Sequence, residues 1–166
     1  MTYIPKKWIL CLLLLVLSLQ SCSLFKPRPA RVTFNFDVQA SVNPDVDNRP
    51  SPVVFRIYEL TNESLFNEKD FFALYNADKD NLADTFIEKH EFLLNPGEQQ
   101  SNALQLNLET QVIGLLAAFR DQEQATWRQT LNLASIKKTA DRVKGRYLIE
   151  INLNENQIAV DRKLTQ

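Results

Sequence analysis

Toward each end of this 166-residue chain lies a segment in which apolar residues recur at every second position. Val32, Phe34, Phe36, Val38 and Ala40 interleave with Thr33, Asn35, Asp37 and Gln39, and Tyr147, Ile149, Ile151 and Leu153 recur at the same spacing. Successive side chains of a strand point to opposite faces, so this pattern requires sheets with one dry and one wet face. It predicts strands over 31–41 and 146–154. Val53–Leu60 differs in being apolar on both sides, with Val53, Phe55 and Ile57 on one face and Val54, Arg56 and Tyr58 on the other. That is the signature of a central strand. Further strands are predicted over Glu88–Leu94, around Leu104, Leu106 and Leu108, over Val112–Phe119 and over Trp127–Leu133, with Asn95-Pro96-Gly97 as a turn.

A helical pattern interrupts them once. Phe71, Leu74 and Tyr75 recur at i, i+3, i+4, Asp70 suits a first turn and Asn67 suits a cap, so a helix is predicted over 68–76 with its aromatic face in the core. A second helical turn is expected over 81–86. Strands without βαβ alternation point to a mainly β protein: an antiparallel two-sheet β-sandwich with a short helical insertion. The stretch Asn43-Pro-Asp-Val-Asp-Asn-Arg-Pro-Ser-Pro52 between the first two strands holds three prolines among Asn and Asp, and reads as a loop.

The first 22 residues assign an address. Lys6 and Lys7 precede the apolar run Trp8–Leu17, too short for a membrane span of about 20 residues. The run ends in Leu19-Gln20-Ser21-Cys22, the pattern of a bacterial lipoprotein signal. Residues 1–21 are therefore expected to be cleaved, Cys22 to carry lipid, 22–30 to form a tether stiffened by Pro27 and Pro29, and 31–166 to form one domain. The other cysteine, Cys11, lies in the signal, so the mature domain has no disulfide. It carries 17 basic against 20 acidic residues, with the basic ones scattered apart from a Lys137–Arg146 group read as a solvated loop. A polyanion binder would concentrate them, so nucleic acid is not an expected partner.

The inventory for chemistry is poor. His90 is the single histidine, set among charges in Glu88-Lys89-His90-Glu91, and lacks a second His or Cys for a typical zinc site. Asp45 and Asp47 lack the Gly and terminal Glu of a calcium loop. No catalytic residue, metal, cofactor or small-molecule substrate is expected. Two charges beside apolar runs stand apart: Arg56 in mid-strand and Arg120-Asp121 after Ile113–Phe119. They read either as a partly exposed face and a turn, or as an Arg–carboxylate bridge pinning the sheets.

The lipobox, the loop running into Val53-Val-Phe-Arg-Ile-Tyr-Glu-Leu60, Asp70-Phe-Phe-Ala-Leu-Tyr75, Asn95-Pro-Gly97, Ile113–Asp121 and Ala125-Thr-Trp-Arg128 fall in an order that resembles the TssJ family, outer-membrane lipoproteins of type VI secretion systems. The resemblance covers essentially the whole mature chain. It implies a transthyretin-like sandwich anchored by lipid in the outer membrane and facing the periplasm. It also implies a partner, the periplasmic C-terminal region of TssM, within a complex that includes TssL. The family's contact involves the connection between the first two strands, which here is Ser41–Pro52, with Asn43, Asp45, Asp47, Asn48 and Arg49 as candidate partner-binding residues. Ser23 stands where Asp would favour inner-membrane retention. A ligand-binding periplasmic lipoprotein or a secretin pilotin would fit a small sandwich as well; the first should show an apolar pocket with convergent polar groups.

Overall fold

The computed structural model describes residues 29–135 and 146–163; the lipobox, Cys22 and most of the Lys137–Arg146 group lie outside them. The predicted sandwich is present. One sheet has the strand order β4-β1-β7-β8, built from β1 (Arg31–Val38), β4 (Gln99–Gln105), β7 (Arg146–Asn154) and β8 (Gln157–Lys163). The other has the order β3-β2-β5-β6, built from β2 (Val53–Leu60), β3 (Phe86–Leu94), β5 (Val112–Ala118) and β6 (Arg128–Asn132). The strands differ from the expectation at three points: β4 lies over Gln99–Gln105, so that Leu106 and Leu108 fall outside it, β8 forms where no strand is predicted, and β1 pairs with β7 in parallel, although every other neighbouring pair of the described strands is antiparallel.

The alternation decides which side chains meet. Val32, Phe34, Phe36 and Val38 from β1 face Val53, Phe55 and Ile57 from β2, with Ile149, Ile151 and Leu153 beside them, and all are buried in the core between the sheets. Phe36 meets Phe55 edge to face, with ring centroids 5.2 Å apart. As expected of a central strand, β2 is flanked by both β3 and β5, and its second face is buried too.

What covers that second face is the helical insertion, in three short pieces: α1 (Ser64–Glu68), α2 (Phe71–Asn76) and α3 (Asp78–Leu82), then a 3-10 turn at Ala83–Thr85. The single helix expected over 68–76 breaks because Asp70 is itself the cap. Its extended backbone (φ −73°, ψ 171°) lets its carboxylate accept from Ala73 N at 2.8 Å, and Asn67 stays inside α1. Arg128 binds the carbonyls of Phe66 and Lys69 across that break, at 2.8 Å each. Phe71 and Leu74 are buried as expected, in a second core with Tyr58, Leu60, Phe66, Leu82, Val112 and Leu116. No helix among the described residues is long and apolar enough to cross a membrane.

This second core depends on a glycine. A Cβ added to Gly114 on β5 would stand only 3.0 Å from the Phe66 ring, so the absence of a side chain lets α1 settle onto the sheet. Gly114→Val is expected to lower stability by about 1–3 kcal/mol by overpacking, measured by urea unfolding. Combining it with Phe66→Ala should give less than the sum of the single losses, by about 0.5 kcal/mol or more.

Candidate functional site

Four connections gather at one end of the sandwich: residues 39–52 between β1 and β2, 95–98 between β3 and β4, 119–127 between β5 and β6, and 155–156 between β7 and β8. The chain enters β1 at the opposite end. The longest of these loops is held from inside. Asn43 is 2% exposed and takes a left-handed backbone (φ 51°), a conformation that Asn tolerates better than most residues. Its backbone N–H donates to Glu155 O (2.7 Å), its Nδ2 donates to Pro52 O (2.9 Å), and its Oδ1 accepts from Arg120 N (2.7 Å). Backbone and side chain of this one residue thus tie three connections together. Asn43 offers almost no surface to a partner, and its place in the loop is that of an internal brace.

The outer part of the loop is organised around Asp45. Its Oδ1 accepts from Asp47 N and Arg49 N, both at 2.9 Å, and its Oδ2 accepts from Arg49 Nε at 2.8 Å. Arg49 also reaches Asp47 Oδ2 at 3.0 Å. Asn48 supplies a second left-handed residue (φ 59°), and Asn48 N closes a turn onto Asp45 O. The hydrogen bond from Arg49 N is the main reason the Asp45 carboxyl titrates below its usual range. Within this frame the tip residue, Val46, is 99% exposed. Four of the five candidate residues, Asp45, Asp47, Asn48 and Arg49, form the frame. Val46 was overlooked because the loop read as polar; a lone apolar residue between two Asp residues was the available signal.

The other charges fall as follows. Arg56 does form an Arg–carboxylate bridge, yet it joins the sheet to the helices and leaves the second sheet untouched. Its Nε donates to Glu91 Oε2 (2.7 Å), its Nη1 donates to Tyr75 O (2.7 Å) and lies 3.8 Å from Asp78 Oδ2, and the guanidinium sits 4.2 Å from the Tyr75 ring centroid. Burial pushes the Asp78 carboxyl up, but the hydrogen bond and charge of Lys89 outweigh it and leave its pKa below the usual value. Burial raises the Tyr58 phenol well above its ordinary range. Asp121 opens a turn, accepting from Gln124 N. His90 is less exposed than its charged neighbours suggest: its Nε2 lies 2.9 Å from Oε1 of the buried Glu59.

Fold and loop together define a small two-sheet β-sandwich whose ordered polar surface lies on connections at one end. The chain belongs to the type VI secretion lipoprotein family (VasD, EvfM, TssJ, VC_A0113), whose sequence profile matches residues 30–161. Comparison with curated proteins gave no match. Among solved structures it is similar to the T6SS lipoprotein TssJ1 from Pseudomonas aeruginosa, with 30% identity and a TM-score of 0.73 over 83% of this chain and 99% of that one. It is also similar to Serratia marcescens Lip, a membrane-bound component of the type VI secretion system, with 25% identity and a TM-score of 0.73 over 82% and 99% of the two chains. A third likeness is to a chain in a structure described as the T6SS protein TssM C-terminal domain (869–1107) from EAEC, with 25% identity and a TM-score of 0.64 over 78% of this chain and 99% of that one.

Removing the brace tests how the loop is held. Asn43→Ala leaves the Arg120 N–H and Pro52 carbonyl without their partner and places Ala in a left-handed conformation. A loss of about 1–3 kcal/mol is expected in urea unfolding. Asp47→Ala, on the exposed side of the same loop, should stay within about 0.5 kcal/mol of the parent.

Proposed function

We propose that the protein is a non-enzymatic anchor of the type VI secretion membrane complex, lipidated at Cys22 in the outer membrane, which binds the periplasmic C-terminal region of TssM through its 43–52 loop. The observation that carries this reading is the loop itself: a frame of internal hydrogen bonds and ion pairs holding one apolar side chain, Val46, wholly in solvent. A segment already fixed in shape loses little conformational entropy on binding. Covering a valine contributes about 1.5–3 kcal/mol, so the tip alone is worth a factor of ten or more in affinity. Family membership as a secretion lipoprotein and the similar chain in a structure named for the TssM C-terminal domain both support the partner.

Topology supports the orientation. The signal (1–21) would be removed, and the 22–30 tether, reaching roughly 25–30 Å when extended, would enter the domain at the start of β1. The loop follows the far end of that eight-residue strand, about 26 Å away. Lipid at one end then directs the loop away from the membrane, toward a partner that crosses the periplasm as part of a complex with TssL. Each buried acyl CH₂ contributes about 0.8 kcal/mol, so a multiply acylated Cys22 would hold against mechanical pull.

Two measurements test this. Val46→Asp should weaken binding of purified TssM periplasmic fragment at least tenfold by calorimetry, with an unchanged melting temperature. Unaltered affinity would move the interface off the tip, and the row beside the loop formed by the exposed Leu93 with the half-buried Val54 and Ala118 would be next in line. Cys22→Ser should shift the protein from the membrane to the soluble fraction and stop fatty-acid labelling; persistent labelling would place the lipid elsewhere.

A further inference from the structure

The inner face of the sandwich is not wholly apolar at the tether end. Glu59 takes the inward position after Ile57 on β2 and is 0% exposed. Directly across on β3 stands Glu88, and two pairs along, on the same face, is His90, opposite Ile57. The β2–β3 register slips just there: β3 carries one extra residue, Ile87, opposite the Glu59–Leu60 step. Bulges of this kind re-aim side chains beside functional sites. Like charges directly opposite each other weaken a sheet, and a carboxylate removed from water needs compensation. Asn107 N (2.7 Å) and Thr110 Oγ1 (2.6 Å) compensate Glu59 on Oε2 only. The partner of Oε1 is His90, whose Nε2 lies within hydrogen-bond distance at 2.9 Å. One ligand atom from each of Glu59, Glu88 and His90 lies within 4.8 Å of the other two.

We propose that Glu59, Glu88 and His90 bind a divalent metal ion of the zinc class. Ligands about 2.0–2.2 Å from a tetrahedral ion stand roughly 3.3 Å apart, close to the His90–Glu59 separation, and water would complete the coordination. The imidazole favours zinc, nickel or copper over the hard cations calcium and magnesium. Asn107 and Thr110 act as the outer shell: they hold the Glu59 carboxylate so that its second oxygen faces the ion. The cation also relieves the Glu59–Glu88 repulsion and clips β2 to β3 beneath the 106–111 connection. This site lies at the opposite end from the 43–52 loop, so it is independent of the partner surface.

The test uses the full-length chain in detergent after treatment with a chelator. Zinc at about one hundred times its Kd should raise the melting temperature by about 5–10 °C, with one equivalent bound by calorimetry. His90→Ala should abolish that rise. Because Glu59→Gln risks the fold, Glu88→Gln at the exposed ligand is the second variant, and it should weaken zinc binding at least tenfold. A parent protein whose melting temperature ignores zinc, or a rise that survives unchanged in both variants, would overturn the proposal.

Discussion

The burial of β2 on both faces is the constraint from which the rest of the architecture follows. A four-stranded sheet in a sandwich ordinarily keeps its outer face wet, with one face packed on the core. Here Phe55 and Ile57 fill the core between the sheets, while Arg56, Tyr58 and Leu60 are buried on the far side. That far side needs a cover, and the chain supplies it locally, in the residues that follow β2. Three short helices suffice because Gly114 lets Phe66 approach the sheet and because Arg128 satisfies the carbonyls where α1 ends. The cover stops short of the loop end, where Leu93 remains exposed.

The sequence made strand identity legible wherever one face was dry, since period two is a direct consequence of the pleat. Val32–Val38 and Tyr147–Leu153 needed no further information, and the two-sided apolar pattern of β2 correctly signalled a central strand. Pairing was not legible. Nothing in the alternation of β1 says that β7, more than a hundred residues later, lies beside it in parallel. β8 escaped because it is an edge strand, where polar residues are tolerated and the pattern fades. The helix break at Lys69 turned on whether Asn67 or Asp70 caps, and both types suit that role.

Site residues divide the same way. Asp45, Asp47, Asn48 and Arg49 were recognisable as loop-forming and charged, but their mutual bonding depends on a backbone path that composition does not specify. Asn43 looked like its neighbours and does the opposite job, since its side chain turns inward and bonds the end of its own loop at Pro52 and the neighbouring connection at Arg120. His90 looked exposed among charges. Its true setting follows from the alternation that places it, with Glu88 and Phe92, on the face turned toward the core, and Glu59 two residues after Ile57 carried the same information.

The two buried charges of β2 show how position rather than strength gives such groups a role. A buried ion pair is weak evidence for stability, because desolvation offsets most of the attraction and an apolar replacement is often as stable. What Arg56 adds is geometry. Its fork engages Glu91 on β3, the Tyr75 carbonyl on α2 and Asp78 on α3 at once, and only one placement of the helices over the sheet meets all three. An apolar side chain there would pack against several placements about equally well. Glu59 sits three residues further along the same strand but on the other face, where its oxygens reach the 106–111 connection and His90. Arg56 therefore locates the cover and Glu59 the tether end, and the loop end is left to Asn43; each uses a polar group with directional bonds where apolar contact alone would leave the register undecided.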